Sequence, residues 1–479
     1  MTTYRENMKH FDVVVLGAGS AGELIANILA SKGKSVALIE KLRVGGECAF
    51  VSCMPSKTLL RSAQARNEAK HLLALGGAST ELEFDADFTA FRTAAKRRDH
   101  IVKFRNDYEA ATHAIKLGAE LFRGNGIFTA ADRLQVDANE LGWDDLVIAT
   151  GSQASLPPIE GLETVDYWTS DLALSVEVNP RSVLIVGGGP VGCELAQLFS
   201  RFGSETTIVQ FSAQLADREE SSVAARLTEI LRSEGVSIYL NTSVIKVELM
   251  PDGMTLAHLS DNTSLIVERL ILAAGRHPNT QGFNLEAIGV VPDKKGAISV
   301  DENCRVIGHP HIWAAGDVIG IAPYTHTANY QGRIVANNIL GATEIANYSA
   351  VPRAIYTDPP VASVGKLKSS EDDGLVTSRV ELSDLPRNLT DGGIGGLLVL
   401  TADLAKGVLV GAAAIGPHAD EWMAELTLAI RAQIPLTVLN DVIHAFPTFG
   451  AAVEDPIREL VALSKNLCVV RDSNPRPGD

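Results

Sequence analysis

Runs of unbroken apolar residues that close on glycine recur along this chain. The first, Phe11-Asp12-Val13-Val14-Val15-Leu16, leads into Gly17-Ala18-Gly19-Ser20-Ala21-Gly22 and a helical stretch to Ala30; a second apolar run, Ser35 to Ile39, ends at Glu40. Runs that are apolar at nearly every position predict strands covered on both faces, as in a parallel sheet. The design returns 170 residues later, where Val183-Leu184-Ile185-Val186 enters Gly187-Gly188-Gly189-Pro190-Val191-Gly192, a helix follows, and strand Thr206 to Val209 ends at Gln210. Three further runs end alike: Leu146 to Ile148 in Ala149-Thr150-Gly151, Leu270 to Leu272 in Ala273-Ala274-Gly275, and Ile312-Trp313 in Ala314-Ala315-Gly316-Asp317. Each predicts a buried parallel strand whose C-terminal end meets a ligand, the usual crevice in open α/β sheets.

Elsewhere the period changes. Pro55 to Leu75 and Phe88 to Leu117 carry helical patterns, the second with the cluster Lys96-Arg97-Arg98, which is expected to be a solvated helix face. Beyond Tyr348, strand-like Val361–Val364, Leu397–Thr401 and Val408–Ile415 precede helical Ala419–Ala432, Leu436–Val442 and Pro456–Leu463, the pattern of a third domain of α+β character. The Pro-rich, polar tail from Arg471 to Asp479 is expected to fray.

The glycine spacing carries chemistry. In a strand–turn–helix unit, Gly17 permits the tight turn, Gly19 lets the backbone approach a pyrophosphate, and Gly22 lets helix and strand pack closely, while the helix N-terminus offers N–H groups to phosphates. Glu40 stands 23 residues after Gly17, where a carboxylate accepts ribose hydroxyls, and Gln210 stands 23 residues after Gly187. One such fingerprint is weak; two in full strand–helix–strand context imply two dinucleotides. In the second, Gly187, Gly189 and Gly192 take the same three roles.

Composition narrows the partners. With 42 basic and 58 acidic residues, the net charge of −16 repels nucleic acid and anionic membranes, so neither is expected as a partner. No apolar run reaches the ~18 residues of a membrane span. The polar stretch Met1 to His10 does not read as a secretory signal, and five cysteines in 479 residues make no disulfide framework, so a cytoplasmic location is expected. Length alone argues for two or three domains.

Two of the cysteines are placed for redox work. Directly after Glu40 comes Val44-Gly45-Gly46-Glu47-Cys48-Ala49-Phe50-Val51-Ser52-Cys53-Met54-Pro55-Ser56-Lys57. A spacing of five puts Cys48 and Cys53 about 140° apart on an ideal helix. A disulfide needs Cα atoms within about 7 Å, so the backbone between them is expected to leave helical geometry, with Pro55 suited to the departure.

With these motifs in hand, the chain resembles the class I pyridine nucleotide–disulfide oxidoreductases, a family that includes dihydrolipoamide dehydrogenase, glutathione reductase and mercuric reductase. The resemblance spans nearly the whole chain and adds Gly275-Arg276-His277-Pro278-Asn279-Thr280 and Thr357-Asp358-Pro359 to the motifs above. It implies an α/β architecture: two Rossmann-like dinucleotide-binding domains plus a C-terminal α+β dimerisation domain. FAD would be held by residues 1–150 and 277–348, NAD(P)H by 151–276, and a homodimer formed through 349–479. The FAD and nucleotide contacts carried over fall on Gly46, Thr150, Gly151, Gly275, Arg276, Gly316 and Asp317, with Asp317 bonding the ribityl chain. Lys57 and Glu194 would form an ion pair beside flavin N5. Cys53 would be the charge-transfer thiolate facing the flavin and Cys48 the interchange thiol that attacks a small-molecule electron acceptor. No residue is assigned as a metal ligand.

The chain also departs from the family. Where relatives carry His-Pro-Thr-x-x-Glu, with the His serving as acid–base across the dimer, this chain reads Phe446-Pro447-Thr448-Phe449-Gly450-Ala451. Phe446 cannot exchange a proton and Ala451 cannot orient one. His444, two residues upstream, is the titratable neighbour, either a substitute base or a structural histidine; Glu454 and Asp455 stand out of register. Ser52 replaces a common glycine. The reading is an NAD(P)H oxidoreductase that passes electrons through a Cys48–Cys53 disulfide to a disulfide-type acceptor. Alternatives are a metal-ion or quinone reductase, or a carboxylating or C–S cleaving enzyme like the 2-ketopropyl-coenzyme M branch. Cys468, the one cysteine near the C-terminus, has no partner cysteine beside it in the sequence. NADH is favoured over NADPH, because Phe211 and Asp217 stand where NADP-selective relatives place arginines, although Arg218 lies next door.

Overall fold

The computed structural model describes residues 8–84, 89–367 and 374–472, with side chains through 465. Its first sheet begins with strand β1 (Met8–Leu16), whose alternate residues enter different cores: Val13 and Val15 pack on one face, Val14 and Leu16 on the other. Burial on both faces is why the run is apolar without alternation. Helix α1 (Ser20–Ser31) returns the chain to β2 (Val36–Glu40), parallel to β1 with Val13 opposite Val36. The sheet has seven strands, in the order Ala119–Arg123, β2, β1, Asn139–Ile148, Arg133–Val136, Gly126–Ala130. Strand Ile312–Ala314 pairs in parallel with Leu146–Ile148, so residues from three distant segments end side by side at one sheet edge.

A second, five-stranded parallel sheet repeats the plan, in the order Ser237–Tyr239, Glu205–Val209, Ser182–Val186, Arg269–Leu272, Tyr167–Trp168. All the glycine-ended strands are parallel strands, as expected. A third sheet is antiparallel, in the order Arg353–Ile355, Val361–Gly365, Val408–Ile415, Leu397–Asp403, Leu375–Glu381, and helices Ala419–Arg431 and Glu454–Asp472 pack on it.

Several expectations are corrected. The helical pattern 88–117 is two helices, Thr89–Ile101 and Tyr108–Lys116, broken where Lys103, Phe104 and Arg105 take positive φ; Phe88 lies outside the described residues. The earlier pattern runs from Cys53 to Lys70 only, and Leu436–Val442 shortens to Leu436–Leu439. Arg98 is not on a solvated face. It is fully buried, donating to the carbonyls of Leu174 and Val176 and paired with Asp99. Strands Arg353–Ile355 and Leu375–Glu381 escaped notice because both are sheet edges, and the second alternates polar Thr377, Ser378 and Arg379 among its apolar positions. The last helix extends to Asp472, two residues into the segment expected to fray; residues 473–479 and the Cys468 side chain lie outside the description.

Candidate active site

The two fingerprints fold alike. A Cβ on Gly22 would collide with the Gly17 carbonyl oxygen, and one on Gly192 with that of Gly187, so in each half only glycine lets the helix start against its strand. Gly19 and Gly189, by contrast, face open space, the opening a pyrophosphate needs. Glu40 closes the first loop: its carboxylate accepts from the backbone N–H groups of Ala18 (2.9 Å) and Leu42 (2.6 Å). Gln210 does the same in the second, accepting from Gly188 N–H at 2.8 Å while its amide donates to Ser212 Oγ, which in turn donates to Asp217. Both loops line one continuous cavity of about 1820 Å³, and the cysteine pair lines it too. The donor geometry, the open glycines and the size of the shared cavity fit two dinucleotides.

The other residues expected to contact a cofactor converge on the first half. Thr150 Oγ1 donates to Asn279 O (2.6 Å) and Asn279 N–H to Gly151 O (2.9 Å), tying the Ala-Thr-Gly turn to the Gly-Arg-x-Pro-Asn segment. From Gly275 the chain enters Arg276, whose guanidinium donates to Ser152 and to Glu47 Oε2 (2.5 Å); Ser152 Oγ donates to Asp317 Oδ2 (2.6 Å). Gly316 N–H is held by Gln331 Oε1 (2.7 Å). Burial pushes the Glu47 carboxyl up, and the Arg276 charge opposes it.

The cysteine segment breaks as its spacing requires. Cys48 lies in α2 (Gly46–Phe50) and Cys53 opens α3 (Cys53–Lys70), with the departure at Val51 and Ser52. Pro55 is not the breaker: it sits in the first turn of α3, where its missing N–H costs nothing. A Cβ on Gly46 would lie 2.7 Å from Gly19 Cα, so α2 rests directly on the first glycine loop. No disulfide joins the two cysteines here, and both touch the hydroxyl of Thr325, which opens helix Thr325–Ile339: Oγ1 donates to Cys48 Sγ at 3.0 Å and lies 3.5 Å from Cys53 Sγ. The sulfurs differ sharply. Cys53 is held down to about 6 by the hydrogen bond from Cys48, with Thr325, Lys57 and Ser52 adding to it against burial. Cys48 is pushed far up, first by the bond it gives Cys53 and then by burial. Ser52, a departure with no evident consequence in the sequence, thus helps to hold the Cys53 sulfur down.

One turn on from Cys53, Lys57 Nζ lies 2.8 Å and 3.1 Å from the Glu194 carboxylate oxygens. Glu194, 7% exposed on helix Pro190–Arg201, also accepts the Tyr356 N–H at 3.0 Å, and the Tyr356 ring lies 4.5 Å beneath the ammonium. His444 and Phe446 are not brought to this cavity. His444 is wedged between carboxylates, Nδ1 3.1 Å from Glu454 and Nε2 3.2 Å from Glu425. Phe446 is 79% exposed on the protomer surface. Thr325, Ser152, Tyr356 and Glu47 were not singled out from the sequence. Thr325 follows Ala-Gly-Asp by eight residues and carries no local signal of its contact with sulfurs more than 270 residues away.

Among the described residues no helix is long and apolar enough to cross a membrane. The family profile "Pyridine nucleotide-disulphide oxidoreductase" matches residues 11–332, and its dimerisation-domain profile matches residues 351–456. A mercuric reductase of Streptomyces lividans is 32% identical over 93% of this chain and 95% of its own. A dihydrolipoyl dehydrogenase of Geobacillus stearothermophilus is 30% identical, covering 92% and 94%. Among solved structures, the HOCl-induced flavoprotein disulfide reductase RclA from Escherichia coli, as its Cu(II) complex, superposes with a TM-score of 0.83 at 26% identity, covering 94% of this chain and 100% of that one.

Proposed function

We propose that this chain, which belongs to the pyridine nucleotide-disulphide oxidoreductase family, passes electrons from NADH through the Cys48–Cys53 pair to a small disulfide-type acceptor. The family assignment makes it an FAD-dependent, nicotinamide-linked oxidoreductase with a dimerisation domain; the acceptor and the coenzyme preference are our reading. The observation that carries it is the cysteine pair on the wall of the cavity that both glycine loops line, one sulfur poised as thiolate and the other as thiol. Bound FAD supplies the electron relay between nicotinamide and disulfide. The chain's own groups do the rest. Gly17, Gly19 and the α1 N-terminus receive the pyrophosphate, Glu40 the adenosine ribose, and the Ser152–Asp317–Arg276 network the ribityl end. Lys57, fixed by Glu194 and Tyr356, sets a positive charge beside the thiolate of Cys53.

Purified protein should be yellow, with one FAD per chain, and dimeric in solution. Anaerobic and aerobic NADH oxidation against a panel of disulfides, quinones and Hg(II) tests the acceptor. Turnover confined to quinones or Hg(II) would move the function to the metal-ion or quinone reading, and a colourless monomer that cannot be reconstituted with FAD would remove the reading altogether. The carboxylase alternative rests on Phe446 alone, and nothing at the site adds to it.

A further inference from the structure

A reductase of this kind must move a proton off its attacking thiol, and the residue that would serve as base is Phe446 here. His444 does not line the cavity and has both ring nitrogens engaged by Glu454 and Glu425. Within the described chain, the hydrogen-bonding partner of the Cys48 sulfur is the Thr325 hydroxyl, which the Cys53 sulfur shares. The charged and titratable groups around the pair are Lys57 on α3, Glu194 reached through it, Tyr356 beneath Lys57, and His326 beside Thr325, its Nε2 on the Pro352 carbonyl. None of these besides the sulfurs and Thr325 makes a hydrogen bond to Cys48.

We propose that Cys53 is the base that deprotonates Cys48 during thiol–disulfide exchange, and that the Thr325 hydroxyl, within hydrogen-bonding distance of both sulfurs, bridges and steadies that transfer. The inference rests on the disulfide-reductase reading above. In the reduced pair one proton is shared, resting on Cys48 and donated to the Cys53 thiolate. It passes to Cys53, and Thr325 Oγ1 donates to the Cys48 thiolate so formed while lying 3.5 Å from the newly protonated Cys53 sulfur. The Cys48 thiolate attacks an acceptor R–S–S–R, forming Cys48–S–S–R and expelling RS⁻, which takes the proton from Cys53 and leaves as RSH. Cys53 thiolate then attacks the Cys48 sulfur, the Cys48–Cys53 disulfide forms, and the second RS⁻ departs to be protonated by water. Two electrons leave the pair and two thiols are made, with no other base required. A hydroxyl suits the bridge because it both donates and accepts.

The test uses reduced holoenzyme: parent, Thr325→Val, Thr325→Ser and Cys48→Ala. Iodoacetamide alkylation of each cysteine is followed over a pH series by peptide mass spectrometry, alongside stopped-flow exchange with a small disulfide. In the parent, Cys53 thiolate should appear with a midpoint near 6. Losing one hydrogen bond to the anion should raise that midpoint by about one pH unit in Thr325→Val, and slow exchange about tenfold. Thr325→Ser should restore both. Cys48→Ala, which removes the largest stabilising contact, should raise the Cys53 midpoint as well. An unchanged midpoint and exchange rate in Thr325→Val overturns the bridge, and an unchanged midpoint in Cys48→Ala overturns the shared proton. If the cysteines of oxidised enzyme alkylate as fast as those of reduced enzyme, the redox-pair reading itself fails, which the other outcomes leave standing.

Discussion

Lys57 and Glu194 meet at 2.8 Å across the join between the two glycine-loop halves: one comes from the helix that carries Cys53, the other from the helix that opens at the second glycine loop. A pair with one nearly buried partner is costly to break from one side, because the remaining charge loses its counter-ion without regaining water. Lys57→Met should therefore slow reduction of the bound flavin by NADH about 10²-fold, the loss typical of one preorganised charge at a reacting centre. Glu194→Gln, which keeps the Tyr356 contact, should cost less. Stopped-flow bleaching of flavin absorbance reads both. Equal and small effects would show the pair to be structural.

Coenzyme choice should follow Asp217 as much as Gln210. The Gln210 amide is buried and committed at both ends, to Gly188 and to Ser212, so it shapes the loop, and the exposed Asp217 carboxylate that Ser212 holds would be the group to meet a ribose substituent. Phe211, 71% exposed, offers no charge to a 2′-phosphate. NADH should exceed NADPH in kcat/KM by about tenfold. Removing the like charge in Asp217→Ala should be worth about 1 kcal/mol at a solvent-exposed edge, a roughly fivefold gain for NADPH alone. A tenfold preference of the parent for NADPH overturns the assignment, with Arg218 as the responsible neighbour.

Arg98 ties helix Thr89–Ile101 to the segment 174–176 that leads into strand Ser182–Val186. Its guanidinium, fully buried, holds the carbonyls of Leu174 and Val176 at 3.0 and 2.7 Å. Arg98→Met keeps the stem and removes every donor, leaving two carbonyls unpaired and Asp99 with Arg105 alone. It should destabilise the fold by about 2–4 kcal/mol, seen as an earlier denaturation midpoint with NADH oxidation by folded enzyme unchanged.

What could be read along the chain was whatever acts within a few residues. The glycine loops were legible because their constraint is local: a Cβ at Gly22 strikes an oxygen five residues back. The break between Cys48 and Cys53 was legible from spacing, although not its place, which Ser52 marks and Pro55 does not. Arg98 was misread because three basic residues in a row look alike, and only packing against 174–176 distinguishes the third. Thr325 was invisible for the same reason in stronger form, since its role exists only once helix Thr325–Ile339 is laid against the cysteines.

Phe446 carries the last prediction, that the two half-reactions separate. Exposed on one protomer beside Ile443, which is 96% exposed, it belongs to an apolar surface that a second copy would cover, and the family arrangement would set it against Cys48. An aromatic ring there moves no proton and excludes water that would. Oxidising a dithiol such as dihydrolipoamide begins by deprotonating the substrate, and the Cys53 thiolate is formed only in the reduced pair, so in that direction no internal base is ready. General acid–base groups contribute about 10²–10⁴-fold to such steps, and dihydrolipoamide oxidation should be slower than in His–Glu relatives by about that factor. Reduction of the pair by NADH asks nothing of this position and should stay fast. Phe446→His should raise dithiol oxidation, modestly, because Ala451 supplies no carboxylate to orient the new imidazole, and Phe446→His with Ala451→Glu should raise it further. His444→Ala should leave it unchanged. Parent enzyme that oxidises dihydrolipoamide as fast as those relatives, and loses that activity in His444→Ala, would identify His444 as the base and require it to leave Glu425 and Glu454 in the dimer.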